Sequence, residues 1–315
     1  MSKHDFITVT LNPAIDHTVF VNGLRPGSVH RSDASHRQAG GKGINVATML
    51  ALGGARVAVT GVLGDGNIDL FEEHFTQHML SDHFVRIPGE TRTGIKIVDT
   101  AQGETTDINF AGAEPTQVHQ NALIQSIEGL TKPGQWVVVA GSLPQGVAPD
   151  FLTKLIHEVH RKGGLVAVDT SGKALAAAID AKADLAKPNN DELAELFGHP
   201  LESVNQIRDA ARELRQRSST ELIVSMGSQG ALFLTAEGEC IAQPPKAKVI
   251  STVGAGDSLL AGYLQGVQCR EPLAQAARRA TAYAWNRLES LEAQLPNAER
   301  LNQQMELIDV RPLTD

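Results

Sequence analysis

Two glycine-rich turns in this chain contain the residue types needed to hold an anion and to remove a proton beside it. The first, Ser251-Thr252-Val253-Gly254-Ala255-Gly256-Asp257-Ser258, follows the strand-like run KAKVI and opens the apolar helical pattern LLAGYLQGV. Small residues let backbone approach a ligand closely, and amides at the start of a helix offer partial positive charge to an anion. Such a turn can hold a phosphoryl group. Asp257 is then an odd neighbour, since like charges repel, unless its carboxylate takes a proton from an attacking hydroxyl while the amides stabilise phosphoryl oxygens. The stretch alone leaves a second reading open, in which Asp257 is simply the helix N-cap. It is no dinucleotide fingerprint, because GAGDSL lacks the third glycine.

The second turn, Ala39-Gly40-Gly41-Lys42-Gly43-Ile44-Asn45-Val46-Ala47, precedes an amphipathic helix that stops at Gly53-Gly54. A Walker-type loop needs Ser or Thr after the lysine and a longer glycine spacing, and neither is present. The residues suit a sugar instead. Gly40 and Gly41 admit it close to the backbone, Asn45 offers a donor and an acceptor to hydroxyls, and Lys42 adds a point charge. A tight strand-to-helix turn with no ligand is the other reading of these residues.

Positioning two such turns requires a large scaffold, and 315 residues with 42% hydrophobic and 20% charged content supply one. The formal charge of -8 argues against a nucleic-acid surface. No apolar run has the length of a signal peptide or a membrane span, and Cys240 and Cys269 are too few for a disulfide framework, so a cytoplasmic location is expected. Strand-like FITVTL, ARVAVTGV, QWVVVAG, GLVAVDT, DLAKPN and ELIVSMG alternate with helical patterns near 67–79, 116–129, 149–162 and 202–217. That order predicts a mostly parallel sheet between helices, with a helix-rich C-terminal third. Residues 12–37 and 91–112 break the rhythm with alternating, turn-interrupted patterns. They predict short antiparallel strands forming a discontinuous β lid on a core of 1–11, 38–90 and 113–315. A lid with an exposed face invites pairing with a second copy, so a homodimer through it is expected. His74 and His78, one helical turn apart, lack further ligands and read as a solvated helix face rather than a metal site.

Taken together, the two turns resemble those of PfkB-type carbohydrate kinases of the ribokinase-like superfamily, and the resemblance runs over essentially the whole chain. Further marks are Asn12-Pro13-Ala14-Ile15-Asp16, Gly141-Ser142-Leu143-Pro144, Asp169-Thr170-Ser171-Gly172, Lys187-Pro188-Asn189 and Ser225-Met226-Gly227-Ser228-Gln229-Gly230. The resemblance implies a three-layer α/β/α core with a small β-sheet lid, and ATP with Mg2+ as the phosphoryl donor. It implies that Asp16 and Ser142 bind the sugar, that Asp257 is the catalytic base, and that the Gly254, Ala255 and Gly256 amides form the anion hole. Lys187, Asn189, Ser225, Gly227, Gly230 and Val253 would border the nucleotide, with Asn189 and Glu192 holding magnesium largely through water.

Cationic residues near the lid bear on the acceptor. Arg92 and Lys96 fall on one lid segment, Arg31 on the other and Lys42 in the glycine turn, a set suited to a sugar that already carries a phosphate. With Thr106-Asp107-Ile108-Asn109-Phe110, these segments are most similar to kinases that phosphorylate fructose 1-phosphate. Tagatose-6-phosphate kinases and ATP-dependent 6-phosphofructokinases of the same family are the alternatives, and a non-catalytic sugar-phosphate sensor is a more distant one. Gly94 departs from the Asn common in the family, and TAYAWNRLESLEAQL lacks its Asn-x-Gly stretch.

Overall fold

A computed structural model of the protein describes residues 4–32 and 34–313. In chain order the strands are β1 (Phe6–Thr10), β2 (Ala14–Val21), β3 (Ser35–Gly40), β4 (Val57–Gly64), β5 (Ser81–Asp82), β6 (Val85–Ile87), β7 (Thr93–Asp99) and β8 (Glu104–Asn109). They continue with β9 (Trp136–Ala140), β10 (Leu165–Asp169), β11 (Leu185–Ala186), β12 (Glu221–Ser225), β13 (Ala231–Thr235), β14 (Gly238–Gln243) and β15 (Asp309–Pro312). The helices are α1 (Lys42–Leu52), α2 (Asp69–Gln77), α3 (Gln117–Leu130), α4 (Asp150–Arg161), α5 (Gly172–Asp180), α6 (Asn190–Phe197), α7 (Val204–Ser218), α8 (Ala255–Gln268), α9 (Leu273–Leu288) and α10 (Ala298–Glu306).

Eleven strands form the main sheet, in the order β15-β14-β13-β12-β11-β10-β9-β1-β4-β5, with β6 also pairing with β4. From β12 through β5 the pairing is parallel, and the β12-β13-β14-β15 edge is antiparallel. The central strands β1, β4 and β9 are buried along their whole length because both of their faces are covered. Phe6, Val57, Val59, Val138 and Ala167 point into a layer containing α1, α2, α8, α9 and α10. Their neighbours Ile7, Val9, Val137, Val139, Val166 and Val168 point the other way, onto α3 to α7. The period-2 alternation of a strand thus splits one apolar run between two cores, giving the three layers anticipated from the sequence.

The smaller sheet is β3-β2-β7-β8. Its two hairpin pairs are antiparallel as anticipated, but the central β2-β7 pair is parallel, which corrects the expectation of an all-antiparallel lid. The reason is topological. The first excursion leaves the parallel sheet after β1 and the second after β6, at the same end of the strands, so their first strands run the same way. β3 continues to Gly40 and delivers the chain directly to α1. Arg31 is not on a strand: Asn22-Gly23 and Pro26-Gly27, with both glycines at positive φ, turn the chain out of β2, and Arg31 is exposed in the connection.

The histidine pair also differs from the expected solvated face. His74 Nε2 lies 2.8 Å from the Thr48 hydroxyl of α1. Burial, with a smaller contribution from His78, pushes its pKa down to about 4. Its ring is half-buried between α2 and α1 and lines an open cleft together with His78.

Candidate active site

The two glycine turns meet. Asn45 on α1 donates from Nδ2 to Asp257 Oδ2 at 2.8 Å, across 212 residues of sequence. This contact brings together the candidate proton acceptor and the candidate sugar-binding turn. Asp257 is 5% exposed and lies in the first turn of α8, whose N-cap is Gly254 at φ 79°. That removes the N-cap reading of Asp257, since its carboxylate bonds to another helix and not to its own amides. Burial and then the charge of Asp169 push its pKa up to about 6, against the opposing pull of Asn45, Lys42 and Lys187. A carboxylate tuned to that range is ionised at neutral pH yet basic enough to accept a proton from a hydroxyl as its oxygen attacks.

Around it, the amides of Gly254, Gly256 and Asp257 have no acceptor among the described residues, while that of Ala255 points at Thr252 O at 3.4 Å. Gly254 is αL, a conformation that costs little only for glycine. A Cβ on Gly256 would stand 3.3 Å from Lys187 Nζ, so the ammonium lies directly against the amide-lined turn. Lys187 is 4% exposed and pairs with Asp169 Oδ2 at 3.0 Å, and Lys42 Nζ reaches Asp169 Oδ1 at 2.8 Å. Burial works to raise the pKa of Asp169, but its two ammonium partners outweigh burial and hold the carboxyl below its ordinary value. Burial likewise works to lower the pKa of Lys42, and the charge and hydrogen bond of Asp169 carry it above its ordinary value. Lys42 therefore stays cationic, and Asp169 fixes where both lysine side chains sit. Asp169 was present in the sequence only as part of a motif. A lone acid closing the apolar strand LVAVD was the signal for it, because a buried charge requires partners.

The lid supplies a second group of contacts. Asp16 on β2 accepts from Lys96 Nζ at 3.1 Å, and a Cβ on Gly40 would fall 2.5 Å from Asp16 Oδ2, so a side chain there would displace the Asp16 carboxylate. Gly94 pairs with Asn109 across β7 and β8. A Cβ at 94 would lie 3.3 Å from Asn109 Oδ1 and 3.6 Å from Asp16 Oδ1, so a neighbouring strand brings an amide to the place where Gly94 has no side chain. Arg92 donates from Nε to Asn12 Oδ1 at 2.9 Å and from Nη2 to the Asn12 carbonyl at 3.3 Å, and Asn12 Nδ2 donates to Ser142 Oγ at 3.1 Å. Burial lowers the pKa of the guanidinium, opposed by the charge of Asp16, but it remains a cation. Arg31, exposed in its loop, makes no hydrogen bond or ion pair among the described residues.

Among the residues expected to border a nucleotide, Asn189 and Glu192 cap α6 reciprocally: Asn189 Oδ1 accepts from the Glu192 amide and Glu192 Oε2 from the Asn189 amide, each at 2.8 Å. Glu192 Oε1 has no hydrogen-bond or ion-pair partner among the described residues, and the carboxylate is within electrostatic reach of Lys42. One free carboxylate oxygen suits a hydrated magnesium ion, which keeps most of its waters. Ser225 ends β12, where its amide donates to Pro188 O at 3.1 Å. Val253 precedes the turn and donates its amide to Ser251 Oγ at 3.2 Å. Gly227 turns at positive φ in open space, whereas Gly230 has a packing reason of its own, since a Cβ there would lie 2.1 Å from Ala242 O.

These groups lie at the C-terminal ends of the parallel strands, the usual ligand edge of an open α/β sheet. A separate concavity of about 890 Å³ opens among Trp136, Leu165, Asp184 and Glu221 at the opposite end. His160 pairs with Asp184 there, Glu221 accepts from the Ala236 amide and Glu237 from that of Leu273.

Comparison with known proteins agrees with this geometry. The profile of the pfkB family carbohydrate kinases matches residues 9–300. The chain belongs to the pfkB family of carbohydrate kinases. This kinase is 43% identical over 292 residues to the 1-phosphofructokinase of Xanthomonas campestris pv. campestris, covering 91% of this chain and 92% of the relative. It is 40% identical over 307 residues to that of Rhodobacter capsulatus, covering 97% of each. Its ribokinase-like fold superposes on Escherichia coli phosphofructokinase-2, solved in complex with substrates and products, with a TM-score of 0.89 and 27% identity over 96% of this chain and 98% of that one. The protein is therefore a sugar kinase, and no helix among its described residues is long and apolar enough to cross a membrane.

Proposed function

We propose that the kinase transfers the γ-phosphoryl group of ATP to the C6 hydroxyl of fructose 1-phosphate, yielding fructose 1,6-bisphosphate and ADP. The observation that carries this reading is the Asn45-Asp257 contact beside three unpaired amides. Asp257 takes the hydroxyl proton as O6 forms its bond to the γ-phosphorus. The bond from that phosphorus to the β,γ-bridging oxygen breaks, and its electrons leave with ADP. Charge growing on the equatorial phosphoryl oxygens meets the Gly254, Gly256 and Asp257 amides and the Lys187 ammonium. Lys42 and Asp169 keep the floor of the site rigid and charge-balanced.

Asp16 and Asn45 are the hydroxyl-binding groups of the sugar. Gly40 and Gly41 let its ring lie against the backbone, and Lys96 holds the Asp16 carboxylate in place. Arg92, aligned by Asn12 and with unused guanidinium donors, takes the phosphate already on the sugar, together with Ser142. Asn189 and Glu192 would hold magnesium through its waters, and the ion would screen charge between the β- and γ-phosphates. Ser225, Gly227, Gly230 and Val253 border the nucleotide. The names of the most similar relatives support fructose 1-phosphate over the other phosphosugars.

The lid strand β8 is exposed throughout, and Ile108 and Phe110 are 44% and 53% exposed. A homodimer joined through this sheet would cover them, and a monomeric mass by light scattering at micromolar concentration would exclude it.

A coupled ADP-release assay tests the substrate, with fructose 1-phosphate, fructose 6-phosphate, tagatose 6-phosphate, fructose and ribose ranked by kcat/KM. Fructose 1-phosphate ranks first under this reading. Preference for another phosphosugar overturns the sugar assignment, and ADP release with none of them overturns the kinase mechanism.

A further inference from the structure

The last turn of α9 holds a cation that this scheme does not use. Arg287 is 6% exposed, and its Nε lies 3.1 Å from where a Cβ on Gly254 would stand. Its Nη1 donates to the Ser290 carbonyl. Nε and Nη2 have no acceptor, and no carboxylate lies within 4.0 Å of the group among the described residues. Burial lowers its pKa, and the charges of Asp257 and Asp16 oppose that shift, so the guanidinium is within electrostatic reach of both acids.

Helix packing fixes it there. Gly262 and Gly266, one turn apart on α8, let α9 approach closely: a Cβ on Gly262 would lie 2.8 Å from Ala280 Cα, and one on Gly266 2.8 Å from Ala276 Cβ. The helices are consecutive and joined by a short turn, so α9 ends where α8 begins. The segment KAKVI, strand-like in sequence, forms no strand, and the amides of Ile250 and Ser251 donate to the Leu288 carbonyl at 2.7 and 3.2 Å, tying the irregular segment leading into the phosphoryl-binding turn to the end of α9.

A guanidinium removed from water with one hydrogen bond and no counterion is costly. Capping the α9 carbonyls would place an arginine in this turn, but it would not require burial against a glycine whose amide is unpaired. A negatively charged ligand at the turn supplies the missing counter-charge. We propose that Arg287 is a positioning residue for phosphoryl transfer, holding the Gly254 peptide from behind and adding a fixed positive charge to the amides that receive the transferred group. The role rests on the phosphotransfer reading of the same site.

Three variants test it: Arg287→Lys keeps the charge, Arg287→Gln keeps a donor for Ser290, and Arg287→Met keeps only the stem. The expected result is a fall in kcat of about 10- to 100-fold in the glutamine and methionine variants, less than loss of a direct oxyanion donor. The KM for the phosphosugar changes little, and the lysine variant keeps most of the activity. The acid limb of the kcat/KM profile moves to higher pH in the neutral variants, because the ionised Asp257 loses a nearby cation. The other groups acting on Asp257, namely Asp169 on β10, Lys42 and Asn45 on α1 and Lys187 after β11, are the same in every variant. Millimolar guanidinium ion restores part of the kcat of the methionine variant.

An unchanged kcat in a folded neutral variant overturns the proposal. So does an equal loss in all three variants with an unmoved acid limb and no rescue, which marks a purely structural arginine. If the glutamine variant does not fold, the methionine variant serves for the same comparison, and if both unfold while the lysine variant keeps wild-type kcat and acid limb, the charge requirement stands. A wild-type protein that phosphorylates no sugar phosphate refutes the functional reading instead.

Discussion

Asn45 Nδ2 and Asp257 Oδ2 are 2.8 Å apart, although one belongs to the first helix of the chain and the other to the eighth. The amide donates to the carboxylate that has to lose its negative charge when it takes a proton, so it favours the form in which the enzyme waits for substrate. Replacing Asn45 with Leu removes that donor and raises the Asp257 pKa. Activity needs the ionised form, so the acid limb of kcat/KM, expected near pH 6 in the wild type, moves to higher pH in Asn45→Leu. A pH profile from 5 to 9 checks it, and an unmoved limb disconnects Asn45 from the base.

Asp257→Asn is expected to lower kcat by about 10²–10⁴-fold while leaving phosphosugar binding near its original strength. The same variant gains stability at alkaline pH. Burial raises the folded-state pKa of Asp257 above its value of 3.8, so the ionised carboxylate destabilises the fold fully above about pH 6, and the penalty fades as pH falls towards 3.8. Melting curves should therefore show a higher Tm than wild type at pH 8 and a smaller difference at pH 4. Near-normal turnover would remove Asp257 from its role as base.

Asp169→Asn leaves Lys42 and the buried Lys187 without their shared counter-charge. Breaking a buried pair by removing one partner costs about 3–5 kcal/mol, and urea unfolding at pH 7 is the measurement. A loss below about 1 kcal/mol means that water or a rearranged carboxylate already serves the lysines.

Arg92→Ala removes a guanidinium whose charged hydrogen bonds are each worth about 1.5–3 kcal/mol. The KM for fructose 1-phosphate should rise by about 10- to 100-fold, with that for ATP nearly unchanged. Equal rises in both would show that Arg92 supports the cleft as a whole.

The sheet, its helices and the two glycine turns were legible in the sequence because each is written locally, in apolar strands, in helical periodicity and in glycine placement. FITVTL and QWVVVAG became adjacent strands, and the helical patterns became α2, α3, α4 and α7. What escaped depends on distant partners. Nothing near Asp169 announces two lysines drawn from other elements, nothing near Gly94 announces Asn109 reaching over it, and nothing near His74 announces Thr48. The parallel β2-β7 pair depends on where two excursions leave a sheet that local patterns do not describe. Arg287 was hidden for the same reason, since its importance lies in the glycine it meets at the far end of a neighbouring helix.

That parallel pair also sets an order of assembly. Ile15 must face Thr93 across β2 and β7, and the chain between them builds α1, β4, α2 and the edge of the main sheet. Such a long loop closes slowly unless its interior folds first. The lid is therefore a late event on the folding pathway: in pulse-labelled hydrogen exchange, the β2 and β7 amides should gain protection after those of β1 and β4, and a ribosome-bound chain ending before β7 should display β2 and β3 as a lone hairpin.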